Sequence, residues 1–444
     1  MKSPEREGEV SGAVSLYLHI PFCETKCAYC DFYSVPLARF PGTGPRRALG
    51  DRLFLINRYI DVLLAETERL LSSLEAEGLG APSVPTVYIG GGTPSLLGAG
   101  IGRLLDGVIG IAGARRGGPA ALAGLPAEIS AEVPMEITVE ANPESADAAF
   151  LGACRSRGVS RLSLGVQSFN ERSRRAVGRG GDTGDLVFHL AEAAEIFGSG
   201  LSVDLMTGLP FQTEAVLKAD LERVLVFAPG HISLYSLTVE DGTPLGSRKG
   251  DAALLHQAGP RFPPMPSPDE ADRLWLTGRD ALEQAGYEQY EVSNFALPGK
   301  RCAHNIRYWR MENWLGAGPS ASGTIIRGGP LTGGCSGKRI SYGPDTEAFL
   351  SGPLPLTEYL DRNTLIRESL LMGFRYREGP DTNLFKRRFG TGVEQTIPRT
   401  LEAWRKKRGP GGKALAEKER PALSGAGLAL LNPFLLDAFA ELES

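Results

Sequence analysis

The sequence predicts an α/β barrel, and three observations lead there. From residue 14 to 240, short β-type runs alternate with stretches of helical periodicity or turn. The stretches between runs are long enough to carry the chain back across a sheet, as parallel pairing requires. Polar residues also collect near the ends of several runs, where a parallel barrel builds its site. Composition agrees with a globular chain: 42% of the 444 residues are hydrophobic and 23% are charged, which excludes disordered, collagen-like and coiled-coil proteins. Lys and Arg total 48 against 52 Asp and Glu, a net charge of -4. There is no basic excess to hold nucleic acid or an anionic membrane.

Six runs are the candidate strands: Val14 to Ile20, Thr86 to Gly92, Glu136 to Asn142, Arg161 to Phe169, Leu201 to Pro210 and His231 to Glu240. Helical spacing falls between them at Arg52 to Glu77, Ala146 to Arg157, Asp185 to Phe197 and Glu214 to Phe227. In ITVEA, Ile137 and Val139 share one face while Thr138 and Glu140 share the other. The same period-2 split isolates Gln167 in LGVQ and Asp204 in SVDLM. With the aliphatic face toward the helices, Glu140, Gln167 and Asp204 line the interior. Each alone reads equally as a hydrogen-bonded core or turn residue; three of them at strand ends point to a site.

Two stretches interrupt the alternation. Pro36 to Gly50 is rich in Pro, Gly and Arg, and Gly98 to Pro134 in Ala and Gly, so both read as loops or loosely helical additions. Past Glu240 the alternation fades, and Pro260 to Pro268, with five prolines, reads as an exposed connector. A helix is expected from Asp269 to Ala285, extended chain around Tyr287 to Val292, and a mainly helical C-terminal domain from Pro355. The expected units are 1–240, 241–354 and 355–444. The basic WRKKRGPGGK stretch, residues 404–413, reads as a solvated loop. The N-terminal MKSPEREGEV is charged where a signal peptide is apolar, and no long run lacks charges or breakers, so a cytoplasmic chain is expected.

Six cysteines are too few for a disulfide scaffold, and Cys23, Cys27 and Cys30 crowd into a C-x3-C-x2-C loop just after the first run. Three thiolates so placed can hold three irons of a cubane cluster and leave the fourth iron to an exchangeable ligand. The alternatives are a zinc ion, with Asp31 or His19 as fourth ligand, and inert thiols. Cys154 and Cys335 read as structural, and so does Cys302, with a contribution beside His304, two residues on, as its alternative.

With Tyr29 before its last cysteine, the motif resembles that of the radical S-adenosylmethionine superfamily. The likeness runs on: YLHIPFCETKCAYCDF, YIGGGTPSLL, VEANPE, RLSLGVQSFN, DLMTGLP and LYSLTVEDGTPL resemble, in order and spacing, segments of the oxygen-independent coproporphyrinogen III oxidase family in its broad sense. The resemblance implies a partial (β/α)6 TIM-like barrel and a 4Fe-4S cluster on Cys23, Cys27 and Cys30. It also implies S-adenosylmethionine chelating the open iron through its amino and carboxylate groups. It places Tyr17 beside the cluster loop and has Gly91, Gly92 and Thr93 let the backbone approach the methionine end. Glu140, Gln167, Arg179 and Asp204 would make polar contacts to the cofactor. Glycine suits a close approach because it has no Cβ.

Within that family two functions separate. True oxidases resemble C-x3-C-x2-C-x-C with a long N-terminal extension, whereas this chain has Phe32 in place of the extra cysteine and 22 residues before Cys23. HNIRYW, His304 to Trp309, instead resembles the H-N-x-x-Y-W motif of HemW-type haem chaperones. The resemblance then implies haem binding, with His304 as axial ligand and Tyr308 and Trp309 as flat apolar surface for the macrocycle. Plain structural roles for a lone His and a Tyr-Trp pair stand beside that reading. The implied partners are haem, an acceptor protein of unspecified identity and a reductant such as a flavodoxin or ferredoxin, with no nucleic acid. Oxidation of coproporphyrinogen III is the alternative function.

Overall fold

The computed structural model describes residues 12–40, 49–115, 135–248, 265–329 and 334–443. Six parallel strands form its centre: β1 (Ser15–Ile20), β2 (Thr86–Gly91), β3 (Glu136–Ala141), β4 (Arg161–Gln167), β5 (Leu201–Thr207) and β6 (His231–Ser236). They are hydrogen-bonded in chain order. Their aliphatic faces, with Leu18, Ile89, Val139, Leu164, Val203 and Ile232 fully buried, pack outward against the crossover helices. That burial removes each side chain from water, at roughly 25 cal/mol per Å². β1 and β6 are not paired with each other, so the barrel stays partial as expected.

The crossover helices are α1 (Leu49–Leu74), α2 (Gly100–Arg115), α3 (Ala148–Ser156), α4 (Glu171–Ala176), α5 (Thr183–Phe197) and α6 (Glu214–Leu225). Asp147, Asp182 and Thr213 start α3, α5 and α6 by accepting from the backbone N–H groups of Phe150, Gly184 and Val216. The Ala/Gly-rich stretch from Gly98 is not a loose addition over its described part, because α2 is a regular crossover helix. Ile101, Leu104, Leu105, Val108 and Ala112 recur at helical spacing and are buried. Its glycines lower propensity yet serve packing, since a Cβ on Gly107 would run into Leu64 of α1. Residues 116–134 of that stretch, 41–48 of the first and 260–264 of the connector lie outside the described residues.

The chain then extends the sheet at both sides. After α7 (Pro268–Gln284) come β7 (Glu288–Gln289), β8 (Asn294–Ala296), α8 (Ala303–Trp309), β9 (Trp314–Ala317), β10 (Ser322–Gly329), β11 (Gly334–Ser341) and β12 (Leu356–Leu360). β8 joins β6 antiparallel and β7 lies beyond it. β9 joins β1 in parallel, and β10, β11 and β12 follow antiparallel. The twelve-stranded sheet therefore runs on through residues 241–354 and past residue 355. Helices from Arg362–Gly373 to Leu431–Leu442 gather around a second core that includes Phe374, Phe385, Trp404 and Phe434. Trp404 opens the basic stretch expected as a solvated loop, yet it is buried and its Nε1 donates to Asp437 Oδ2 at 2.7 Å. A small hairpin of Arg408–Gly409 with Gly412–Lys413 follows. Among the described residues no helix is long and apolar enough to cross a membrane.

Candidate functional site

At the C-terminal ends of the strands a cavity of about 370 Å³ is lined by Cys23, Cys27 and Cys30 together with Gly91, Gly92, Thr93, Glu140, Gln167, Arg179 and Asp204. Ten of the residues expected from the sequence thus meet in one place, where parallel-strand topology puts a site. The cysteine loop leaves β1 and is tied down by backbone bonds: Gly92 N to Ile20 O at 2.7 Å and Ala28 N to Val177 O at 2.9 Å. Only glycine fits at 92, because a Cβ would stand 2.6 Å from Phe22 O and 3.1 Å from Cys23 Sγ. Gly91 has φ of +116° and its hydrogen faces the His19 ring.

Polar side chains tie the loop to the strands. Thr93 Oγ1 lies 3.5 Å from Cys23 Sγ and accepts from Asn142 Nδ2 at 3.3 Å. Asn142 Oδ1 in turn accepts from Arg179 Nη2 at 3.0 Å, and Arg179 also donates to Gly165 O. Asn142 is a hub that sequence reasoning missed, although its parity with Glu140 in VEAN was an available signal. Gln167 holds φ of +67° at a β-bulge in β4, which turns its side chain at the cavity wall.

Glu140 Oε1 accepts from the Tyr88 hydroxyl at 2.7 Å and its Oε2 from Gly91 N at 3.0 Å. Burial pushes its carboxyl up to about 7 against those two bonds, with Asp204 adding to the rise. Burial raises Asp204 as well, although Ser163 Oγ donates to it at 3.1 Å.

The donor set fits an iron-sulfur cluster better than zinc. Both nitrogens of His19 are engaged, Nδ1 3.0 Å from the Tyr17 hydroxyl and Nε2 2.8 Å from Tyr33 O, so this histidine does not turn to the cysteines. Among the described residues no three His, Cys, Asp or Glu stand close enough to share one ion. Thiolates that each hold a different iron have no need to do so.

Tyr17, expected beside the cluster loop, is not among the residues that line the cavity. Its ring stays in the barrel lumen, 6.1 Å from that of Tyr88 and 6.0 Å from that of His19. Parity explains this: Tyr17 sits mid-strand, two residues below His19, whereas the cysteine loop begins after β1 ends.

The opposite, N-terminal end of the barrel carries α8. The Glu136 carboxylate accepts from Ala303 N and His304 N, both at 3.0 Å, and so caps the helix against β3. Cys302 donates to the same carboxylate at 3.4 Å and is buried, which pushes its thiol up to about 12. His304 is 2% exposed, with its ring 5.1 Å from Tyr88 and 5.0 Å from Tyr308. Its Nδ1 lies 2.9 Å from Thr86 Oγ1, which gives its own proton to Ser15 Oγ. Nδ1 therefore carries the imidazole proton, and Nε2 keeps a bare lone pair with no hydrogen-bond partner. Burial lowers this histidine to about 3, so it is neutral.

The structure does not bring His304, Tyr308 and Trp309 to one cavity. Residues four apart share a helix face, and Trp309 lies about 100° round from Tyr308. Tyr308 packs 4.8 Å from the Trp314 ring, while Trp309 packs beside Tyr290, Cys302 and Tyr376.

Residues 17–224 match the radical SAM superfamily. The chain is 32% identical over 386 residues to the heme chaperone HemW of Lactococcus lactis subsp. lactis, which covers 86% of each. The chain belongs to the HemW family of radical SAM proteins. It is also 34% identical over 381 residues to the mitochondrial radical S-adenosyl methionine domain-containing protein 1 of Bos taurus, covering 84% of this chain and 75% of that one. Among solved structures it is similar to the coproporphyrinogen III oxidase HemN of Escherichia coli, with a TM-score of 0.69 over 98% of this chain and 91% of that one. At 21% identity that likeness shows the fold, a radical SAM barrel followed by a helical C-terminal region. Family membership implies a 4Fe-4S cluster and an S-adenosylmethionine site.

Proposed function

We propose that the chain binds haem and passes it to an acceptor protein, with a 4Fe-4S cluster on Cys23, Cys27 and Cys30 and S-adenosylmethionine in the adjoining cavity. The observation that carries this reading is the identity to a relative named heme chaperone, 32% over 386 residues. Two features of the residues support it. Phe32, in place of the oxidases' extra cysteine, is 66% exposed at the cavity and offers no ligand. His304 has the tautomer an axial ligand needs, with the proton on Nδ1 and the lone pair on Nε2.

When bound, cluster and cofactor together supply a one-electron route to breaking the sulfonium bond. The chain's own residues position. Gly91 and Gly92 admit a close backbone approach, Glu140 and Asp204 present carboxylates to the cavity, and Asn142 holds Arg179 in place. Tyr17 orients His19 from below. Ligation of iron by His304 requires α8 to move off the barrel floor, because Nε2 is enclosed there. The reading includes a reductant such as a flavodoxin or ferredoxin and no nucleic acid. A cytoplasmic location goes with it, where thiols stay reduced; all six cysteines are free.

The test uses the anaerobically reconstituted chain with S-adenosylmethionine and reductant. Mass spectrometry is expected to find no protoporphyrinogen IX formed from coproporphyrinogen III, and absorbance to show a stable haem complex that loads a haem-free acceptor. Decarboxylation of coproporphyrinogen would install the oxidase in its place, and a chain that takes up no haem would reject the chaperone.

A further inference from the structure

We propose that Tyr88 couples the cofactor cavity at the mouth of the barrel to the helix that carries His304 at its floor. Resting on the haem reading above, the proposal supplies the regulation of that same site. Tyr88 spans the lumen from β2. Its hydroxyl donates to Glu140 Oε1 at 2.7 Å, and Glu140 lines the cofactor cavity while also accepting from Gly91 N. Its ring lies 5.1 Å from that of His304, tilted by 36°. Two residues earlier on the same strand face, Thr86 accepts the His304 Nδ1 proton. One strand thus touches the cavity wall at one end and the His304 ring at the other.

The seat of α8 is under-satisfied. Three of its seven residues carry a buried nitrogen with no partner: His304 Nε2, Arg307 Nη2 and Trp309 Nε1. Arg375, whose guanidinium lies 5.9 Å from the Trp309 ring centre, carries a fourth on Nε. Unpaired buried nitrogens are costly, and they offset the contacts that seat the helix: the Glu136 carboxylate, Thr86, Ser15 Oγ accepting from Arg307 Nε at 2.7 Å, and the rings of Tyr88, Trp314 and Tyr290. Coupling between distant sites requires an element with two arrangements, and in this proposal that part falls to α8.

The sign follows from competition at Glu140. A donor group of S-adenosylmethionine reaching this carboxylate displaces the Tyr88 hydroxyl from Oε1. Tyr88 then loses its upper anchor and His304 its stacked neighbour, which favours departure of α8 and frees Nε2 for iron. By linkage, iron bound at His304 must tighten the cofactor by the same factor.

The test is amide hydrogen exchange over residues 303–309 in the reconstituted full chain, with and without S-adenosylmethionine, in wild type and Tyr88→Phe. Exchange in wild type should rise about fivefold with cofactor, the low end of ordinary coupling. Tyr88→Phe keeps the ring and loses the hydroxyl, so its exchange should no longer respond. Unchanged exchange in wild type overturns the proposal, as does a response that persists in the Phe variant; if that variant loses its cluster, the wild-type pair still decides. Haem titration in parallel, followed at the Soret band, should show the same fivefold tightening with cofactor in wild type. An exchange response in a chain that binds no haem would reject the haem reading and keep the coupling. Haem binding with no exchange response would do the reverse.

Discussion

The two ends of the barrel are built on the same face of the same strands and behave as opposites. At the mouth, Glu140, Gln167 and Asp204 stand around a cavity, close to half-buried thiols and glycines that leave room for a ligand. At the floor, Thr86, Glu136 and His304 bond to one another, and the helix that carries His304 covers them. The residue types differ little, since polar groups line both ends. What differs is the cover: a short loop that leaves space above β1, against a helix docked by backbone N–H groups onto a carboxylate. A polar lumen therefore opens as a cavity only where no element of the chain covers it.

The largest effect expected from this contrast is at the mouth. Cys23→Ala, Cys27→Ala and Cys30→Ala together should abolish the iron and sulfide content of the reconstituted chain while leaving exchange at 303–309 as it was. Iron retained by the triple variant would reject the cluster assignment. Next is His304→Ala, which on the haem proposal removes the axial ligand and should weaken haem binding by more than about tenfold, with a shifted Soret band and an unchanged cluster. Cys302→Ser is its control. A spectrum altered there but not in His304→Ala would move the ligand two residues upstream.

Acid and base should act on the two ends in opposite senses. The Glu140 carboxyl is raised from 4.5 to about 7, so the folded state binds that proton more tightly, and stability falls as pH rises through that window. His304 is lowered from 6.5 to about 3, so its contribution is complete above 6.5 and is lost as pH falls toward 3. Urea titrations at stepped pH should show the first slope flattened in Glu140→Gln and the second in His304→Ala. Curves parallel to wild type in both variants would remove the electrostatic contrast. The smallest effects on haem binding belong to Tyr308→Leu and Trp309→Leu, each less than that of His304→Ala, because each removes packing and no bond to iron. A much larger effect on haem binding from Trp309 than from Tyr308 would show that the macrocycle lies on the far face of α8.

Much of the mouth was legible because its signals are local. The spacing of Cys23, Cys27 and Cys30, the parity of Glu140, Gln167 and Asp204, and the GGGT turn each fall within a few residues. Tyr17 was placed beside the cluster loop by resemblance alone, and a resemblance does not say how far below that loop a mid-strand residue stands. Asn142 follows the same parity as Glu140, and its bonds to Thr93 and Arg179 appear only when three strands' ends converge. The stretch at Gly98 misled for another reason. Its glycines lower helix propensity, while the apolar spacing that makes α2 is rewarded only against α1.

By itself the sequence determined the alternation of strands and helices, the inward face of each strand and the cysteine loop, since period and spacing are written in neighbouring residues. Only the tertiary structure decided that HNIRYW would close the floor of the barrel, that His304 would bond to Thr86, 218 positions away, and that Tyr88 would join that floor to the cofactor cavity. Contacts of that span are selected by packing of the whole sheet and by the need to pair buried polar groups, and no local pattern encodes them.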